Sequence, residues 1–103
     1  GKEEIKELEE EKALEEVQPQ RERWYVKSPL VGVFYRYPSP GATPYVEVED
    51  IVTEKQTLCI VEAMKVMNEI TPERKGKIIK ILAFNGEVVD YGRPLFEIEA
   101  IEE

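Results

Sequence analysis

At 103 residues and 42% hydrophobic content, the chain has apolar material for one small core and not for two. A formal net charge of −8 argues against nucleic-acid binding, and zero histidines with a single cysteine remove an internal disulfide and the usual zinc ligand sets, so neither a metal site nor a catalytic residue is expected. No apolar run approaches the roughly 18 residues of a membrane span and none resembles a signal segment, which points to a cytoplasmic chain without membrane contact.

Residues 1–23 hold nine glutamates against five basic residues, with Ile5, Leu8, Ala13, Leu14 and Val17 as a loose apolar stripe. This acidic tail is compatible with a solvated linker or with a frayed amphipathic helix. A chain opening on Gly1 is expected to be a fragment or to carry a tag. From Trp24 the composition changes to short valine, isoleucine and aromatic runs broken by Pro, Gly, Asn and Asp, so residues 24–103 are expected to form one all-β domain. Expected strands cover Trp24–Lys27, Gly32–Tyr35, Tyr45–Val48, Thr57–Glu62, Met67–Ile70, Lys77–Ala83 and Leu95–Ala100. Asn85-Gly86 marks a turn ahead of Val88-Val89. Cys59 lies in the apolar run Leu58–Val61 and reads as a buried structural thiol.

The domain repeats itself. A shift of 37 positions pairs Ile51 with Val88, Val52 with Val89, Leu58 with Leu95, Val61 with Ile98, Glu62 with Glu99 and Ala63 with Ala100. Gly32 matches Gly76 only at a larger shift, so the first half carries about seven additional residues, expected around Tyr37 to Pro44. Two such units cannot each close a core, but together they can build a pseudo-two-fold sandwich or flattened barrel.

Glu62 to Ile70 is ambiguous taken alone. Apolar residues at three- and four-residue spacing, among good helix formers, suggest a short helix with Lys65 as a solvated lysine. The repeat favours a strand instead, because Leu58–Ala63 corresponds to Leu95–Ala100, where Phe96 to Glu99 alternate as strand residues do. Lys65 then occupies the reversal of a hairpin, where Met64 and Lys65 stand in place of the usual Asn or Gly.

The string CIVEAMKVMNEI, with SPLVGVFYRYPSPGATP before it and GKIIKILAFNGEVVDYGRPLFEIE after it, resembles the biotin carboxyl carrier domains of acetyl-CoA carboxylases, within the biotinyl/lipoyl family. The resemblance covers about Val26 to Glu99. It implies two four-stranded antiparallel sheets with Lys65 on an exposed hairpin, and a non-catalytic carrier role. It implies biotin as the cofactor, attached to Lys65 within Ala63-Met64-Lys65, with Met64 and Met67 flanking the site. Tyr37-Pro38-Ser39-Pro40-Gly41-Ala42-Thr43-Pro44 corresponds to a protruding thumb. Implied partners are a biotin protein ligase, a biotin carboxylase and a carboxyltransferase, and the implied product is malonyl-CoA for fatty acid biosynthesis. A biotin carrier of another carboxylase or decarboxylase, a lipoyl domain and an unmodified interaction module remain as alternatives. The sequence departs from the family pattern at Val66, where methionine is usual, and at Glu49 and Lys55, where turn glycines are common.

Overall fold

The computed structural model describes residues 1–17 and 21–101, with side chains of the N-terminal helix described as far as residue 10. Helix α1 spans Lys2–Val17, and eight strands follow: β1 (Arg23–Lys27), β2 (Gly32–Tyr35), β3 (Ile51–Val52), β4 (Cys59–Ala63), β5 (Val66–Ile70), β6 (Gly76–Ile81), β7 (Val88–Val89) and β8 (Pro94–Ala100). The acidic segment is helical because Glu, Lys, Leu and Ala propagate a helix well, with no Gly or Pro inside it and Glu3 and Glu4 in the first turn. Ile5 and Leu8 are more than half exposed, so they bury no apolar stripe. The continuation of that stripe at Ala13, Leu14 and Val17 lies outside the described side chains.

The strands form two antiparallel four-stranded sheets, ordered β1-β8-β6-β3 and β5-β4-β2-β7. Their facing residues make one core, in which Phe34, Val52, Val61, Ile78, Val89, Leu95, Phe96 and Ile98 are fully buried. Each such side chain contributes about 1.5 to 3 kcal/mol. The rings of Phe34 and Phe96 meet across the sheets with centroids 6.1 Å apart. Cys59 is buried, and desolvation pushes its thiol up to about 12, so it packs as an inert apolar group.

Hydrogen bonding makes the repeat explicit. Asp50 N–H donates to Glu47 O and Glu87 N–H to Phe84 O, closing two turns 37 positions apart. In each, the first residue's N–H donates to the last residue's carboxylate at 2.9 Å, and the third residue, Glu49 or Gly86, has φ of 81° or 86°. Glu49 N–H then donates to Ile78 O at 2.8 Å, as Gly86 N–H does to Phe34 O at 2.7 Å. Thirteen positions separate Phe34 from Glu47 and six separate Ile78 from Phe84, so the surplus of seven lies in the first half, as the spacing predicts.

One expectation needs correction. Tyr45–Val48 is not a strand, because the chain returning from the insertion enters the Glu47–Asp50 turn at once and anchors through buried Val46; the short strand comes later, at Ile51–Val52. The Glu62–Ile70 region is strand, turn and strand, as the repeat favours. Of the two missing turn glycines, Glu49 adopts the left-handed conformation regardless, whereas Lys55 does not, and its Thr53–Gln56 turn differs from the Gly92-containing counterpart.

Candidate functional site

Strands β4 and β5 pair from Cys59↔Ile70 to Ala63↔Val66, leaving only Met64 and Lys65 to reverse the chain. Their φ values, 52° and 64°, are those of the two-residue turn whose twist matches the strands, normally made by Asn-Gly. Two non-glycine residues held there cost about 1 to 2 kcal/mol each. Met64 is 95% exposed, and Val66 and Met67 are more than half exposed. The Lys65 amine is exposed and makes no hydrogen bond or ion pair among the described residues. Beneath the tip, the Asn68 amide donates to Val61 O and Val66 O, both at 3.2 Å, tying the two strands together. Asn68 escaped the sequence reading; an Asn inside an apolar strand was its only signal.

The pseudo-two-fold maps this hairpin onto the other end of the domain. There β8 and β1 occupy the places of β4 and β5, and Ala100 N–H donates to Glu22 O. Lys65 therefore sits at the position related by symmetry to the chain ends, where the second half has a break instead of a turn. Trp24 packs at that break, with the Arg74 guanidinium 4.5 Å from its ring and Glu22 paired to Arg74.

Tyr37 to Pro44 bends over the outer face of the β5-β4-β2-β7 sheet. Ala42 N–H donates to Ser39 O at 3.1 Å, so Pro40 and Gly41, at φ 80°, form the centre of a proline-glycine turn. Between the loop and the sheet lies an open cleft of about 1100 Å³, lined by Tyr35, Ile60, Met67 and Glu69 below and by Tyr37 through Ala42 above, with Tyr45 and Asn85 at its side. Desolvation, then the Glu69 charge, hold the Tyr45 phenol above its ordinary pKa, so it stays a neutral hydrogen-bond donor.

The two outer sheet faces share a backbone plan but differ in chemistry. On one, Glu99 stands between Arg23 and Lys77 in register, with Arg23 Nη2 2.9 Å from its carboxylate. On the other, the equivalent Glu62 stands between Met67 and Val33, with no cation paired to it among the described residues. The face on which Glu62 and Glu69 have no paired cation among the described residues is the one that runs up to Lys65. Among the described residues there is no cluster suited to a metal ion, and no helix is long and apolar enough to cross a membrane.

Comparison with known proteins agrees with this geometry. Similar curated proteins include the biotin carboxyl carrier proteins of acetyl-CoA carboxylase from Nostoc sp. and Porphyra purpurea, each 53% identical over 74 residues. Those 74 residues are 72% of this chain and 41% and 47% of the two relatives, so the match spans less than half the length of either. The Kluyveromyces lactis urea carboxylase contains a similar structure, with a TM-score of 0.63 and 26% identity over 79% of this chain and 6% of that one. A single-chain long-chain acyl-CoA carboxylase, TM-score 0.67 and 17% identical over 84% of this chain and 8% of that one, shares the fold. With the biotin/lipoyl family model, described as "Biotin-requiring enzyme", matching residues 25–98, the chain belongs to the family of biotinyl and lipoyl domains.

Proposed function

We propose that this chain is the biotin carboxyl carrier of an acetyl-CoA carboxylase, with biotin attached through Lys65. The observation that carries the reading is a lysine amine without a partner among the described residues, on a strained two-residue tip inside Ala63-Met64-Lys65, in a chain 53% identical over 74 residues to a carrier of that name. Attachment needs a deprotonated amine to attack a biotinyl adenylate made by a biotin protein ligase; the amide forms, AMP leaves and the proton goes to solvent. Biotin, once attached, supplies the group that a biotin carboxylase loads with carboxylate and a carboxyltransferase unloads onto acetyl-CoA, giving malonyl-CoA. The chain itself is a carrier and not a catalyst. Its four-carbon lysine stem lengthens the arm, the rigid tip presents it, and tethering raises the local concentration of the carried group. Met64 and Met67 are flexible apolar contacts for the enzymes that enclose the tip. We place the carrier in the cytoplasm, with Tyr37 to Pro44 as a thumb that guides the attached group along the adjoining cleft.

Peptide mass mapping after treatment with an active biotin ligase tests the reading. A biotin mass increment on Lys65 alone supports it, whereas a lipoyl increment or biotin on another lysine overturns it.

We also propose that residues 24–103 fold without the acidic segment. Removing residues 1–21 should leave a cooperative thermal transition and full biotinylation, because Ile5 and Leu8 remain exposed in the intact chain. A collapsed midpoint after truncation would show that the helix packs on the domain.

Replacing Tyr37–Pro44 by a short Gly-containing turn should change stability by no more than about 2 kcal/mol, within the range of ordinary single substitutions. The second half already closes the same connection with seven fewer residues. Carboxyl transfer in the reconstituted carboxylase should fall much further. Normal turnover by the shortened domain would refute the thumb's role.

A further inference from the structure

We infer that Arg36, acting with Asn85, is the positioning residue that sets the direction of the thumb over the cleft; this rests on the reading of Lys65 as the biotin-bearing residue. Arg36 begins the outgoing limb of the loop, and its hydrogen bonds outside the strand ladder go to the returning limb or to the turn beside it. Its carbonyl accepts from Tyr45 N–H at 2.9 Å, and its own N–H donates to Asn85 Oδ1 at 2.9 Å. Its guanidinium donates from Nη2 to Val46 O at 2.9 Å and to Glu47 Oε1 at 2.8 Å, and lies 5.8 Å from the centroid of the Tyr37 ring. A planar guanidinium can serve a carbonyl and a carboxylate together in a fixed geometry, which an ammonium point charge cannot reproduce.

The internal repeat supplies the control. Lys80 follows Arg36 by 44 positions; its backbone pairs with Glu97 in the sheet, and its side chain makes no hydrogen bond or ion pair among the described residues. Where the first half has Glu47 and the second half Asn85, their repeat partners are the exposed Phe84 and Val48. The half without an insertion holds its turn through a different residue, Arg93, whose guanidinium donates to Leu82 O at 2.9 Å and to Glu87 Oε2 at 2.7 Å, so the contacts of Arg36 are particular to the half that carries the loop. The Arg36–Glu47 ion pair contributes little to stability, because Glu47 is 63% exposed and exposed ion pairs are weak. What the contacts of Arg36 do is fix both limbs of the loop to the turn that carries Asn85, so the cleft lined by Tyr37 and Tyr45 keeps one shape.

The test uses the full chain, biotinylated, as the substrate of a biotin carboxylase, with Arg36→Lys, Asn85→Ala and Asn85→Asp as variants. Both Arg36→Lys and Asn85→Ala should lower kcat/KM for the carrier by about ten- to a hundredfold, the scale of a misplacement of about 1 Å. Their thermal midpoints should move by less than about 8 °C. Asn85→Asp retains the accepting oxygen and should restore most of the loss. The near-UV circular dichroism of the tyrosines should change in Arg36→Lys and Asn85→Ala but not in Asn85→Asp. If all three variants transfer carboxylate like the parent, or if Asn85→Asp fails as Asn85→Ala does, the positioning role is overturned. Failure of the parent chain to accept biotin would instead overturn the function proposed above.

Discussion

Biotinylation is expected to vanish completely in Lys65→Arg, while the thermal midpoint stays within a few degrees of the parent. Arginine keeps the charge and the length, but its guanidinium stays protonated and is no acyl acceptor. Eight other lysines remain in the chain, so the experiment also measures selectivity. The fold is indifferent because the Lys65 amine has no partner to lose among the described residues. Lys65→Gly gives a sharper contrast. It relieves a residue held at φ 64° and should raise stability by about 1 kcal/mol while equally abolishing attachment. A tip that is less stable with its native residue than with glycine is a tip kept for chemistry. Streptavidin binding retained by Lys65→Arg, or marked destabilisation by Lys65→Gly, would remove Lys65 from its assigned role.

Gly32→Ala is expected to be the most damaging small substitution, destabilising the domain by about 3 kcal/mol or more, the upper range for overpacking a closed core. A Cβ on Gly32 would lie 2.3 Å from Glu62 O and 2.8 Å from Val61 Cγ1, and the first of these is backbone of the neighbouring strand. Strands β2 and β4 would have to separate, and β4 leads directly to the Lys65 tip. Gly76 occupies the equivalent place and would meet Ile98 Cγ2 at 2.4 Å and Glu99 O at 2.8 Å. Gly41→Ala is the control. Unlike Gly32 and Gly76 it has positive φ, but a Cβ there meets nothing within 4 Å, so its cost is limited to backbone strain of about 1 kcal/mol. Chemical denaturation of the three variants checks the order. Equal stability of Gly32→Ala and Gly41→Ala would show that close strand approach does not limit this fold.

Much of the architecture was legible in the residues themselves. Alternation in Phe96 to Glu99 marked a strand with one buried face, and the 37-residue repeat carried that assignment to Leu58–Ala63, which decided between helix and strand for the adjoining Glu62 to Ile70. Helix propensity lost there because pairing with both β2 and β5 satisfies the backbone on two sides and buries Cys59, Ile60 and Val61. The change of register between the halves located the seven additional residues, since a two-fold repeat must reuse the same turns at the same distance from the same strands. The Tyr45–Val48 strand failed for the complementary reason. Its apolar and aromatic residues fit a strand, but Val46 is buried as an anchor for the loop and the chain turns at Glu47–Asp50 directly after it.

By itself, then, the sequence determined the all-β class, the repeat, the place and length of the insertion, and the lysine at the hairpin tip. These all follow from periodicity, spacing and local turn chemistry, which a linear chain displays. Only the tertiary structure decided that Arg36 reaches Glu47 and that Asn85 fastens the loop from 49 positions away. It alone showed that Glu62 faces outward between Val33 and Met67 with no cation paired to it among the described residues, while Glu99 has Arg23 beside it. Those relations depend on which strands pair and in what register. That is settled when two half-cores, neither large enough to stand alone, close on each other.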